Sequence, residues 1–398
     1  MPSPAREWEA LGISDDVLAD ILIRLPSLAD LGRACATCVA FRRVVADRSF
    51  IRRVHALHPP SLLGLRSFYG SFEPVEAPHP SAGAGRALVG AAGFRFRFLP
   101  NPDFWVVRDA LGGRFVLDLD ENSDGTFTKI AVCDPLFQGY LVLPPIPDDL
   151  AAAVEQDPFT VYYCNRRCQV FLVPCAEEEE KASFSIIWLA QCPTKLVAFL
   201  FSSATSQWRA IAAPSWKDLN PAMPSVVRKP PMSWRSYAYG CFYWSLDKRS
   251  AGLSLVVLDT GKMEFSSVSS LGPCRGDHDM AAVELGERRL GIFKYARNPL
   301  VMNLYVCANH GEGAITEWVL QDEIPLPYEC ACILGVAEGK LILQTQLDLR
   351  EQQFGCVSLD LKTLQLQSIR KTLCGGFGAR PLPFLYAGYP LSLSLPAL

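Results

Sequence analysis

The sequence predicts a two-part protein, in which a small helical module precedes a large all-β domain of the β-propeller class. Three observations support this prediction. Apolar side chains repeat at helical spacing over residues 14–57, short runs of strand composition follow from residue 94 onward, and one turn phrase recurs between those runs. Many short strands separated by turns are typical of sandwiches, barrels and propellers, and a repeat favours the propeller.

The first helix is predicted over residues 15–24. Ser14 can cap its first turn, and Asp15 and Asp16 follow at the positive end of the helix dipole. Pro26 disfavours helical backbone at the residue before it and so ends the helix. The apolar residues that recur along one stripe are Val17, Leu18, Ile21, Leu22 and Leu25.

Three more short helices are predicted after Ser27. The second carries Leu28, Leu31, Cys35 and Cys38, the third carries Phe41, Val44 and Val45, and the fourth runs from near Ser49 until Pro59 stops it. A module of about 40 residues can bury little core by itself, so it must lean on a partner or on a neighbouring domain.

These residues resemble an F-box. The usual pattern has a Leu-Pro start, a leucine-rich helix that ends in Leu-Pro, and a Val-Cys-Lys-x-Trp-Arg core. Three positions depart from it: Ile13-Ser14 replaces the first Leu-Pro, Val39 the Lys, and Phe41 the Trp. The resemblance covers roughly residues 11 to 54, on these matching or substituted positions: Asp15, Asp16, Leu18, Ile21, Leu22, Leu25, Pro26, Leu28, Leu31, Cys38, Phe41, Arg42 and Phe50.

The resemblance implies a substrate-receptor subunit of an SCF-type cullin-RING ubiquitin ligase, without a catalytic residue or cofactor of its own. Such a subunit docks on a Skp-type adaptor, and through it on the cullin-RING scaffold, in the cytoplasm or nucleus. The alternative is an ordinary helical subdomain packed on the rest of the chain. The residues that the resemblance assigns to the adaptor-binding face are Leu18, Ile21, Leu22, Leu25, Pro26, Leu28, Leu31, Cys38 and Phe41.

Composition and charge narrow the function classes. The 398 residues are 49% apolar and 20% charged, which is typical of a well-cored globular protein. A net charge of −3 without a basic stripe argues against nucleic-acid binding, and no run is long and apolar enough for a membrane helix. The 14 cysteines, several of them inside apolar runs, are expected to be reduced and buried.

The rest of the chain divides at residue 94. The helical module is predicted over 11–58, a Pro-, Gly- and Ala-rich linker over 59–93, and the propeller over 94–390. The strand-like runs include RFVLDL, QVFLVP, FSIIWLA, LSLVVLD, LGIFKY and CVSLDL, which are rich in Val, Leu and Phe.

The repeat is a strand, a turn of small polar residues and a second strand. Asp134, Ser202, Asp259, Asn309 and Asp360 mark its turns, at gaps of 68, 57, 50 and 51 residues. Propeller blades of the kelch and WD40 kinds recur every 40 to 50 residues or so, which predicts about six blades, with five to seven open.

The first of these phrases, CDPLFQGYLVLPPIP, is similar to the end of the first blade in the F-box-associated, kelch-like propeller of plant F-box proteins. GCFYWSLD and ITEWVL also resemble that family. A composite blade is expected from 94–99 together with 382–386, which would close the ring and remove its exposed edges. A large β-sandwich is the alternative fold.

No motif predicts catalysis or a metal site. Cys35 and Cys38 with His55 and His58 have poor zinc-finger spacing and fit a buried helical face better. Residues 120–125, DENSDG, match half of a calcium loop, but Ala131 stands where a Glu ligand belongs, so a polar turn is the simpler interpretation. Residues 277–279, DHD, are interpreted as a solvated loop.

Recognition of a target protein is expected from aromatic and arginine side chains in the Pro-rich segments between blades. Trp216, Trp234 and Arg235 are the candidates, with the alternative that each tryptophan packs a blade core. Trp105 is expected in the core. Two other functions stay open: a propeller enzyme or carbohydrate-binding protein, and an F-box protein that acts outside ubiquitination.

Overall fold

The computed structural model describes residues 13–25, 28–57, 60–67, 71–119, 127–157, 168–174, 183–246, 254–268, 280–296, 299–307, 318–348, 353–373 and 383–389. Four short helices come first. They are α1 (Asp15–Leu22), α2 (Leu28–Thr37), α3 (Val39–Val45) and α4 (Arg48–Leu57). The Ser14 hydroxyl accepts the Val17 N–H at 3.4 Å, so the predicted cap of α1 is confirmed.

The strands follow in blade order after β1 (Ser61–Arg66), β2 (Phe72–Pro74), α5 (Ala82–Leu88) and a single 3-10 turn (Pro102–Phe104). Blade 1 contains β3 (Trp105–Leu111), β4 (Arg114–Leu119), β5 (Ile130–Asp134) and β6 (Gly139–Val142), and α6 (Asp148–Glu155) comes next. Blade 2 contains β7 (Cys168–Val173), β8 (Ser185–Gln191), β9 (Leu196–Ser202) and β10 (Gln207–Ala210), and α7 (Trp216–Leu219) comes next.

The remaining blades continue in the same way. Blade 3 contains β11 (Met232–Ala238), β12 (Cys241–Leu246), β13 (Ser254–Asp259) and β14 (Glu264–Val268). Blade 4 contains β15 (Met280–Glu284), β16 (Leu290–Ala296), β17 (Val301–Cys307) and β18 (Trp318–Pro325). Blade 5 contains β19 (Glu329–Ala337), β20 (Lys340–Asp348), β21 (Gln353–Asp360) and β22 (Leu366–Leu373).

Blade 6 is composite and closes the ring. Its order is β2, β1 and then β23 (Phe384–Gly388), and β23 pairs antiparallel with β1 from Ser61 opposite Gly388 to Arg66 opposite Phe384. The prediction of a six-bladed propeller after a helical N-terminus is confirmed, and so is the use of the C-terminal segment to close it.

The prediction for the N-terminal strand of the composite blade is wrong: the strand that pairs with β23 is β1, not residues 94–99. Residues 59–93 are not merely a linker, because they supply β1, β2 and α5. Residues 94–99 form no strand. Phe96 has a positive φ of 52°, and Phe94, Phe96 and Leu99 are buried against the rings of Phe115 and Tyr386. Aromatic residues that alternate with Arg here fill the core between blades 6 and 1 instead of forming a strand.

The repeated turn joins the third and fourth strands of the blades. Asp134, Ser202, Asp259 and Asp360 each end a third strand, and the residue four places later has a φ of 53° to 57°. A carboxylate oxygen accepts the N–H groups two and three residues on in the turns at Asp134, Asp259 and Asp360. These three turns therefore share one hydrogen-bond pattern. Asn309 lies outside the described residues.

The blade cores lie between neighbouring blades. The Phe171 ring of blade 2 packs 4.8 Å from that of Phe242 in blade 3, and Phe115 of blade 1 stacks 5.8 Å from Tyr386 of blade 6. Because both faces of a blade are covered, β4 and β8 are buried at every position but the first. This explains the continuous apolar runs in the sequence.

Candidate interaction surfaces

The interior of the helical module contains four of the nine residues expected at the adaptor face. Leu18, Leu22, Leu31 and Cys38 are 2% to 8% exposed and pack with Val54 and their neighbours in one cluster. They hold the four helices together, so they cannot form a contact surface, and this part of the prediction needs correction. Pro26 and the side chain of Leu28 lie outside what the structure describes.

A second apolar set on the same helices faces outward. Val17 is 49% exposed, Ile21 is 55% exposed and Val39 is 67% exposed, while Leu25 and Phe41 are half-buried. Only Ile21, Leu25 and Phe41 were among the predicted contacts. The sequence does indicate an exposed apolar residue such as Val17. Apolar residues at positions 17, 18, 21 and 22 cover a wider arc of the helix than one buried face needs.

Ion pairs join α1 to the helices behind it. Arg43 of α3 binds Asp15 at 2.7 Å, and Arg53 of α4 binds Asp20 at 2.7 Å. All four side chains are at least half exposed, so water and salt screen both pairs. They orient α1, and the buried cluster supplies most of the stability.

The module meets the propeller where the ring closes. Tyr389, directly after β23, packs against the helical cluster, and α4 leads into β1. At the start of β1, the Leu62 N–H donates to Glu338 Oε1 at 2.7 Å. The other oxygen of Glu338 lies 3.3 Å from Nε2 of the buried His79. Burial alone would raise the pKa of Glu338, but the bonds from His79 and Leu62 outweigh it and lower the pKa.

A second set of contacts, around Arg370, joins blade 5 to blade 6. Arg370 of β22 donates to Glu73 Oε2 at 3.1 Å and to the Pro74 carbonyl at 2.8 Å, and it lies 3.3 Å from Glu76. Both Arg370 and Glu73 are largely buried. Residues 73–76, which the sequence predicts as part of a linker, are thus fixed to blade 5 by charged hydrogen bonds.

Arg235 lies in a network that joins the first strands of three blades. Its guanidinium binds Asp109 of β3 and lies 4.2 Å from the centre of the Phe171 ring on β7. Asp109 also accepts the Leu172 N–H at 2.8 Å. Burial raises the pKa of Asp109, although Arg235 opposes this shift. Arg235 is 22% exposed at the side chain, so its main contacts are internal.

The two candidate tryptophans lie in different environments. Trp216 is 0% exposed and donates its indole N–H to the Cys192 carbonyl at 2.8 Å, so it packs blades 2 and 3 and is not available to a partner. Trp234 is half-buried against the cluster between blades 3 and 4, with a φ of 54°. Trp105 is buried as expected and donates to the Pro100 carbonyl at 2.7 Å.

The metal-site candidates find no support in the described part of the chain. Cys35 and Cys38 pack in the helical core, and burial raises the pKa of Cys35. Residues 120–125 and 277–279 lie outside the described residues, as do His58 and the side chain of His55. Within the ranges given above, no group of three or more His, Cys, Asp or Glu side chains could hold a metal ion. No described helix is long and apolar enough to cross a membrane.

No protein-family model and no curated protein matches this sequence. Solved structures do match, and those named here have low identity. TolB from Acinetobacter baumannii is 12% identical with a TM-score of 0.33, over 76% of this chain and 61% of TolB. The β-propeller domain of the Trilobed protease from Pyrococcus furiosus is 8% identical with a TM-score of 0.36, over 67% and 71%. SapL1 lectin, solved with α-methyl fucoside, is 8% identical with a TM-score of 0.40, over 68% and 80%.

The matching structures include enzymes as well as lectins. An acylaminoacyl peptidase is 7% identical with a TM-score of 0.37, and the match covers 67% of this chain and 40% of the peptidase. At such similarity these structures carry no argument about fold or activity.

Proposed function

We propose that this protein is the substrate receptor of an SCF-type cullin-RING ubiquitin ligase. The helical module binds a Skp-type adaptor and, through it, the cullin-RING scaffold, and the propeller holds the target protein. The chain then supplies proximity and orientation, and the ubiquitin-charged enzyme supplies the chemistry. The protein would work where that scaffold works, in the cytoplasm or nucleus.

The observation that carries this proposal is the exposed apolar set Val17, Ile21 and Val39 on a module whose own core is already filled. Apolar side chains of this size, placed on helices rather than on loops, suit the groove between helices of a partner. The resemblance to the F-box adds that this partner is a Skp-type adaptor. This surface differs from the one expected: Ile21 remains in it, Val17 and Val39 are added, and the buried Leu18 and Leu22 are left out.

Adaptor binding by two matched variants tests the proposal. Ile21→Asp places a charge on the exposed face, and Val319→Asp makes a similar change on β18 of blade 4, where the side chain is 53% exposed. We expect Ile21→Asp to weaken capture of a purified Skp-type adaptor by the full chain at least about tenfold, and Val319→Asp to leave capture unchanged. Equal capture by wild type and Ile21→Asp, or no capture by wild type, would sink the proposal.

A second measurement distinguishes a ubiquitin-ligase receptor from an F-box protein that acts outside ubiquitination. Proteins retained by the full chain in cells are quantified with the proteasome active and blocked. A receptor for degradation predicts that retained partners accumulate on blocking in cells with wild type, and that Ile21→Asp removes this dependence. If partners are retained equally in both conditions, the chain binds them without promoting their degradation.

A further inference from the structure

One outer strand of the propeller lacks the usual protection of a sheet edge. Exposed edge strands normally carry charges, proline or bulges that discourage pairing with another chain. The last strand of blade 1, β6, instead exposes Tyr140, Leu141 and Val142 in succession, at 44%, 43% and 40%. Its sequence, GYLV, contains no charge and no proline.

The outer strands of the other blades show the ordinary pattern. Arg209 is exposed on β10, Glu264 on β14 and Lys371 on β22. On β18, Val319 and Leu320 are exposed, but Asp322, Glu323 and Pro325 follow in the same strand. The outer strand of blade 6, β2, contains Glu73 and Pro74, to which Arg370 binds. Among the described outer strands, β6 alone is both apolar and uncharged.

The outer edge of β6 presents backbone N–H and C=O groups that could pair with another strand. Leu143 donates its N–H inward to the Ile130 carbonyl at 2.9 Å, and Val142 stands opposite Ala131 in the register. Since the direction of the N–H alternates along a strand, the N–H and C=O groups of Tyr140 and Val142 point away from β5. No described strand pairs with this edge. An incoming strand could bind there by β-augmentation.

Positive charge lies beside this edge. Residues 77–102 contain Arg86, Arg95 and Arg97, all exposed, and no acidic residue, while residues 135–147 contain no charge at all. The two segments are in contact: the Gly93 N–H donates to the Pro135 carbonyl at 2.7 Å, and the Phe98 ring lies 6.3 Å from that of Tyr140. The exposed Asp103, Asp148 and Asp149 lie just outside these two segments, so Arg95 and Arg97 are the charges within three residues of Phe98, whose ring contacts Tyr140.

We propose that the edge of β6 binds an extended segment of a partner protein in which apolar and acidic residues alternate. The apolar side chains would cover Tyr140 and Val142, and the carboxylates would lie near Arg95 and Arg97. Charge selects this occupant over a second copy of the same chain, because pairing two β6 edges would bring two like-charged arginine sets together. The site is separate from the helical module and does not depend on adaptor binding.

Selection from a displayed library of random peptides on the full chain tests this site. Val142→Pro removes an outward N–H without breaking a bond to β5, and Ser267→Pro makes the same change at the corresponding position of β14. We expect the enriched peptides to be rich in Asp and Glu, to bind Val142→Pro at least about tenfold more weakly, and to bind Ser267→Pro as they bind wild type.

Charge reversal gives a test that does not touch the backbone. Arg95→Glu with Arg97→Glu should weaken the same peptides at least about tenfold, and Arg209→Glu on β10 should not. Three results would overturn the proposal: no peptide is enriched, the enriched peptides bind Val142→Pro like wild type, or they show no acidic bias. Self-association of the chain that Val142→Pro abolishes would assign the edge to a second copy and overturn it too.

Discussion

The helical module and the propeller differ in how they bury their apolar side chains. In the propeller the faces of the blades pack against neighbouring blades, so Phe171, Trp244 and Phe293 are almost fully buried. The described residues of the module form one small cluster around Leu22 and Val54, and apolar side chains such as Ile21 stay exposed. A stable scaffold and an incomplete docking unit are thus joined in one chain.

The largest effect is expected at a large, fully buried side chain of the propeller core. Trp216→Ala removes a fully buried indole and its bond to the Cys192 carbonyl, and it should lower the free energy of unfolding by about 3 to 5 kcal/mol. Phe104→Ala, at a side chain that is 51% exposed, is the matched control. Denaturant unfolding of the full chain measures both. Equal losses would mean that Trp216 is not part of the core.

Two neighbouring residues of α1 separate the module's core from its surface. Leu22→Ala should destabilise the module by about 2 to 4 kcal/mol, because it leaves a cavity in the cluster that joins its helices. Ile21→Ala should cost less than about 0.5 kcal/mol. Hydrogen exchange of the α2 and α3 amides reports the module separately from the strands. Faster exchange throughout the propeller in Leu22→Ala would show that the two regions unfold as one.

The closure of the ring should depend on pH through Glu338. Its pKa is lowered in the folded chain, so its contribution is present above the ordinary value of 4.5 and is lost as the pH falls through the lowered one. We expect Glu338→Gln to cost about 1 kcal/mol at neutral pH and to reduce the loss of stability in acid. Stability curves against pH check this. Identical acid dependence in both proteins would mean that the Glu338 carboxylate does not stabilise the closure of the ring.

The smallest effect is expected at the module's surface. Arg43→Ala breaks the exposed pair with Asp15 and should change the free energy of unfolding by no more than about 0.5 kcal/mol. High salt should erase even that difference. Comparison of thermal unfolding at low and high salt measures it, and a larger loss that persists in salt would mean that Arg43 packs in the core.

The sequence was sufficient for the architecture because its signals were local. Turn positions such as Asp134, Asp259 and Asp360 keep one hydrogen-bond pattern, so they could be recognised without the structure. The strand Ser61–Arg66 was missed because it lies among Pro, Gly and Ala residues and pairs with β23, more than 300 residues away in the chain. No local pattern reveals such a partner.

The candidate surfaces were harder to predict for a related reason. Apolar periodicity identifies α1 as a helix but does not distinguish Ile21, which is exposed, from Leu22, which is buried. Trp216 stands in a Pro-rich segment that reads as a loop, yet its indole fills the space between two blades. The edge of β6 also needed the structure, because being outermost in a sheet depends on strand order.

Hydrogen exchange of the full chain, alone and mixed with a Skp-type adaptor, tests most directly whether the module docks while the propeller stays unchanged. We predict slower exchange on adaptor binding in the amides of α1 and α3, with the strands from β7 to β22 unaffected. Unchanged exchange in the helical module, or slowing confined to propeller strands, would contradict the account.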